Sequence, residues 1–135
     1  MKNILKIAFI TLLSAVLFSG CGSDTPESAT KKFLNSLKDG NVKDFKKYST
    51  EGTQSLIRFS LIGHCPNING DKELSVCLKL LADDVAEYIV TDIKEYDETS
   101  ARVYVNAKLK SGLINKAKYD LKKIDGDWKV DTKGK

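Results

Sequence analysis

The chain has a single histidine, a single tryptophan, two prolines and three cysteines among 135 residues. With His64 the one imidazole, a zinc site would have to be made from it and the thiols of Cys65 and Cys77. The twelve-residue gap between those thiols lacks a CxxC clamp, so no metal or other cofactor is implied. There is no Gly/Ser linker, low-complexity stretch or internal repeat, which leaves nothing to string a second domain on. No apolar run reaches the roughly 20 residues that span a bilayer. Charge of one sign is missing too. The whole chain carries 22 basic and 18 acidic residues, and beyond Lys2 and Lys6 the balance is 20 to 18, with no concentrated basic face for nucleic acid.

What is present begins at the N-terminus. Met1-Lys2-Asn3 and Lys6 precede an apolar run from Ile7 to Phe18, and the small residues Ser19 and Gly20 lead directly into Cys21. A charged start, a short apolar core and small residues make residues 1–20 a secretory signal peptide. Leu17-Phe18-Ser19-Gly20-Cys21 resembles the lipobox of bacterial lipoproteins, with Phe18 standing where leucine is usual. The resemblance implies cleavage before Cys21, lipidation of its thiol and residence at a membrane. The plain alternative is a cleaved leader that leaves a free thiol, a liability in an exported protein. Two or three acyl chains suit an anchor, because one chain binds only marginally. Residues 21–25 form a short tether, and Gly22 after the cysteine, where aspartate accompanies inner-membrane retention, points to the outer membrane.

Residues 26–135 suit one compact domain. In an exported protein Cys65 and Cys77 read as a disulfide, which stabilises by about 3 kcal/mol for a loop of this size. Thr25-Pro26-Glu27 is a helix start, and Asp39-Gly40-Asn41 ends that helix and caps a second one carrying Val42, Phe45 and Tyr48. A third helix is expected over roughly 53–62. Its apolar residues spread widely around it, which suggests a well-buried segment. His64 to Gly70 is a loop, and Asp71 caps a helix to about Ala82 with Leu74, Cys77, Leu78 and Leu81 on one face.

The period then changes to two. Residues 86–96 are rich in strand formers, with an alternation that leaves the phase near Asp92 open. Ala101 to Lys110 alternates cleanly, Leu113 to Ile124 forms a third strand, and Asp125-Gly126 turns into a last short strand with Trp128 and Val130. The plan is α+β, N-terminal helices packed on a curved four-stranded antiparallel sheet. Charge follows it: residues 83–98 hold seven acids and one lysine, and residues 99–135 ten bases and four acids. Cross-strand pairing is the expected use of these charges; a dipolar surface that recruits a charged partner is the alternative.

Phe33-Leu34-Asn35-Ser36-Leu37-Lys38-Asp39-Gly40-Asn41 and the closing Asp125-Gly126-Asp127-Trp128-Lys129-Val130 resemble the first helix and last hairpin of nuclear-transport-factor-2-like domains. The resemblance spans roughly Thr25 to Asp131, and the Cys65-bearing insertion departs from it. It implies a cone-shaped fold that hosts isomerases, dehydratases, ligand binders and association domains alike, so the fold does not supply a function. It also allows a homodimer through the sheet. In a ligand-holding cone, Val103, Val105, Tyr119 and Trp128 would line the pocket, plain core packing being the other use of such residues. No buried acid/base pair is evident, and Tyr88 or Asp92 would point inward only with the opposite strand phase. The expected function is therefore a noncatalytic envelope domain, held at the membrane by its lipid, that binds a protein partner or a small apolar ligand. The alternatives are a cone-fold isomerase or hydrolase using Asp92, Tyr88 or His64, and an envelope inhibitor or immunity-type protein.

Overall fold

Thr25 opens the first helix. Its hydroxyl accepts the Ser28 N–H at 3.0 Å, Pro26 occupies the first turn, where no N–H is needed, and Glu27 meets the positive end of the helix dipole. The result is α1, Pro26–Asp39. Gly40 ends it with φ +68°, a left-handed conformation that favours glycine. That glycine is also crowded, since a Cβ there would lie 2.7 Å from the Ser75 carbonyl oxygen. Asn41 caps α2, Val42–Lys47. Then come α3, Glu51–Leu61, and α4, Asp71–Leu81. The structure, a computed structural model, describes residues 24–65 and 67–132. The expected signal peptide, Cys21 and the first part of the expected tether lie outside the described residues.

Four strands follow, β1 Val85–Asp97, β2 Ser100–Leu109, β3 Ile114–Ile124 and β4 Asp127–Val130. They form one antiparallel sheet in chain order, and the helices cover one of its faces. Ala29, Phe33, Leu34 and Leu37 of α1 and Phe45 of α2 bury themselves against Val103, Val105, Leu121 and Val130 of the sheet. The Phe33 and Phe45 rings stack with centroids 6.0 Å apart. A parallel bridge between Ser49 and Val130 ties the link between α2 and α3 to the last strand. The fold is the α+β plan expected from the sequence.

Three details differ from expectation. First, α3 starts two residues early, because Thr50 supplies its cap by accepting the Thr53 N–H. It is not well buried either: Thr53 and Leu61 face inward, while Leu56, Phe59 and Ile62 are 39 %, 74 % and 57 % exposed. The segment carries two apolar stripes, Thr53–Ile57–Leu61 and Leu56–Phe59–Ile62, and a helix lying on one surface buries only one.

Second, β1 is not a regular strand. Its register with β2 shifts between Val85 and Glu87, between Val90 and Asp92, and between Glu95 and Asp97. A bulge inserts one residue and re-aims the side chains beyond it. Tyr88 thus pairs with Ala107 on the helix-covered face, and Asp92 pairs with Tyr104 on the other. In an unbulged strand these two, four residues apart, would share a face. The first bulge is held from outside, by the Lys38 ammonium donating to the Ala86 carbonyl at 2.6 Å.

Third, cross-strand pairing absorbs only part of the charge asymmetry. Arg102 and Asp120 form an ion pair at 2.7 Å, and Glu87 stands opposite Lys108. Lys116 faces Asn106, Lys118 faces Tyr104, and Lys94 faces Arg102, none of them an acid.

Candidate functional site

On the helix-covered face, Val103 stands opposite Tyr119 in the β2–β3 register, with Val105 opposite Ala117. Val103, Val105 and Trp128 are buried members of the hydrophobic core, and Tyr119 packs against that core partly covered. Trp128 pairs with Lys123 toward the end of β3, four residues from Tyr119; the Lys123 ammonium lies 5.8 Å from its ring centroid. The sheet therefore brings together Val103, Val105 and Tyr119 and sets Trp128 apart.

Sequence reasoning did not place Tyr88 in this group. Its phenol lies close enough to Tyr119 to feel it electrostatically; burial, then Tyr119 and Asp84, push its pKa up to about 12. Burial raises the Tyr119 phenol as well. Both hydroxyls stay protonated at neutral pH, so they can donate and accept hydrogen bonds but are poorly placed to take a proton. Asp92 lies across the sheet, its carboxylate accepting the N–H of its neighbour Ile93 at 2.9 Å. His64 sits exposed in the turn after α3. Tyr88, Asp92 and His64 are thus dispersed over two sheet faces and a loop.

The second feature lies outside the cone. Cys65 and Cys77 form a disulfide, with Cα atoms 6.2 Å apart. It joins the loop after α3 to the buried side of α4, and with both thiols oxidised neither is a thiolate ligand for a metal. Among the described residues no cluster of three His, Cys, Asp or Glu side chains is arranged to hold an ion. The far end of α3 is pinned differently. The buried Thr53 hydroxyl donates to the Val130 carbonyl at 3.0 Å and accepts the Thr132 N–H at 2.8 Å, while Thr50 donates to Asp131 at 3.0 Å.

Between these two pins the outer stripe of α3 stays open. Phe59, Ile62, Cys65 and Ile68 line a groove of about 370 Å³ that also includes Arg58. On the other side of the disulfide, Cys65, Val76 and Cys77 line another of about 380 Å³, with Lys72 and Glu73 at its rim. Val76 and Leu80 of α4 are 61 % and 51 % exposed. Two apolar grooves that meet at Cys65, with charged side chains among their lining, have the character of an interaction surface rather than of scattered exposed residues. The signal for it was in the sequence, as the second i, i+3 stripe of α3.

The fold has solved counterparts. A candidate NTF2-like transpeptidase from Campylobacter jejuni is similar at 17 % identity with a TM-score of 0.54, over 82 % of this chain and the whole of that one. A ketosteroid isomerase-like protein from Erwinia carotovora atroseptica is similar at 15 % identity and a TM-score of 0.43, over 77 % of this chain and 86 % of that one. At 17 % identity the Campylobacter structure speaks to architecture alone, and the architecture is an NTF2-like α+β domain. No curated protein matches the chain. Residues 19–131 match the family described as Domain of unknown function (DUF4878), and the chain belongs to that family.

Proposed function

We propose that the protein is an envelope lipoprotein, anchored through Cys21 with the outer membrane favoured, whose domain is a noncatalytic association module. Its partner protein docks on the apolar strip of α3 and α4. The observation that carries this reading is Phe59, three-quarters exposed beside Ile62, in a stripe that the fold does not use. A large aromatic next to a groove is the kind of residue that anchors interfaces. The noncatalytic reading is supported by the wide separation of Asp92, His64 and the two phenols, which a cone-fold enzyme would have to gather. The competing reading is a small apolar ligand held against Tyr88 and Tyr119, whose phenols could orient its polar end.

Native mass spectrometry on protein extracted from its own membranes tests the reading. The expected result is a stoichiometric complex with a second polypeptide that Phe59→Ser dissociates. A bare protein, or an added small-molecule mass unaffected by Phe59→Ser, would overturn it in favour of a free or ligand-holding domain. The anchor is tested separately by palmitate labelling, which Cys21→Ser should abolish; an unlabelled wild-type protein would sink it.

A further inference from the structure

Half of β3 has a neighbour on one side only. β2 accompanies it from Ile114 to Lys122, whereas β4 pairs only with Leu121–Ile124. No described strand covers the opposite edge of residues 114–119. The direction of the backbone groups there follows from the hydrogen bonds at either end. Leu109 N–H donates to the Leu113 carbonyl at 2.8 Å across the hairpin, so odd-numbered residues of β3 direct their N–H and C=O toward β2. Asp131 N–H donates to the Asp120 carbonyl at 2.7 Å, so even-numbered residues face the other way. The backbone groups of Ile114, Lys116 and Lys118 therefore point out along an open edge.

This edge differs from that of β1. The β1 edge is bulged three times and acidic, and bulging is a common way of keeping an edge from pairing with other chains. Residues 114–122 of β3 make nine consecutive pairs with β2 without a shift. The edge is regular and exposed, as an edge that templates another strand must be. Its side chains set the terms: Lys116 and Lys118 lie opposite Asn106 and Tyr104, with no acid across from them. Two copies of this edge meeting antiparallel would set lysine against lysine in the well-overlapped registers, and like charges directly opposite are destabilising.

We propose that the free edge of β3 at Ile114–Lys118 is a docking site for an extended acidic peptide segment of a partner protein. The segment adds as a fifth strand, satisfies the backbone groups of Ile114, Lys116 and Lys118, and sets carboxylates beside the two lysines. The proposal depends neither on the lipid at Cys21 nor on the apolar strip of α3 and α4.

The test uses the full-length protein in mild detergent and two synthetic nine-residue peptides, one alternating glutamate with threonine, the other lysine with threonine. The acidic peptide should bind at least tenfold more tightly and slow hydrogen exchange at the Lys116 and Lys118 amides. Lys118→Pro removes an edge-facing N–H that the β2 ladder does not use, a change that edge strands tolerate, and should weaken binding at least tenfold. Paired Lys116→Glu and Lys118→Glu should reverse the preference between the peptides. Equal binding of both peptides, unchanged exchange at those two amides, or full affinity in Lys118→Pro would overturn the proposal. Should the proline disturb the fold, N-methylating alternate residues of the acidic peptide interrupts the same hydrogen bonds from the other side. Retained affinity of both N-methylation registers would be equally fatal.

Discussion

Helices α1 and α2 bury their apolar faces against the sheet, whereas α3 sends only Leu61 fully into the core. It is otherwise held by polar contacts to the end of the sheet and by a disulfide from the loop after it to α4. In the first region, Phe33, Leu34, Leu37 and Phe45 interlock with Val103, Val105, Leu121 and Val130, and Gly40 lets α1 and α4 approach until backbone meets backbone. In the second, Thr50 and Thr53 hold the start of α3 to the end of β4, and the Cys65–Cys77 bridge holds the segment after it. The contrast teaches that an element can be fixed in place without burying the apolar surface it carries. Packing consumes only the inner stripe at Thr53 and Leu61; the outer stripe of Leu56, Phe59 and Ile62 stays exposed.

The largest blow to the packed region is Phe45→Ala, which empties a fully buried ring site and should cost about 3–5 kcal/mol in urea unfolding. A loss below about 1 kcal/mol would mean the two regions are not held differently. Replacing Cys65 and Cys77 together by serine should cost about 3 kcal/mol on the chain-entropy account. Its sharper signature is local. Hydrogen exchange should rise more in α3 and the loop after it than in α1, and a uniform rise would erase the distinction. Thr53→Val keeps the volume but removes the hydroxyl that serves Val130 and Thr132, for a loss of about 1–2 kcal/mol, with exchange increasing first at the start of α3. Phe59→Ser should sit at the bottom of the series, within about 0.5 kcal/mol of wild type by thermal unfolding. A destabilisation above 1 kcal/mol would make Phe59 part of the fold and remove the basis for the docking strip.

Much of the architecture was legible in the residues because local chemistry settles it. Thr25-Pro26-Glu27, Gly40 and Asn41 mark helix ends by what their own backbones and side chains can do. The alternation of β2 is clean because one face is buried and the other is not. The face shown by Tyr88 was not legible, because it depends on a bulge at Val85–Glu87 whose freed carbonyl is held by Lys38, 48 residues away in sequence. The exposure of α3 was legible only in part. Two apolar stripes can be counted along the helix, but which one meets the core depends on where Thr53 finds Val130, a contact spanning 77 residues. The disulfide could be anticipated from two cysteines behind an export-like N-terminal sequence, whereas the grooves on either side of it required the path of the loop.

Tyr48 has a further consequence for how the chain could be wired. Its carbonyl accepts the Val130 N–H at 2.8 Å, and its side chain lies near enough to the Asp24 carboxylate to help, after Lys32 and Ser28, to hold that group's pKa down. One buried residue thus stands between the first described residue and the last strand, and the two ends of the domain are near neighbours. The tight turn at Ser111-Gly112, by contrast, lies far along the sheet in open space. A circularly permuted gene, with Thr132 joined to Asp24 by a short linker and new ends opened at Gly112, would preserve every helix, strand pairing and covalent bridge described above. The order in which a ribosome emits these elements is then separable from the shape they reach.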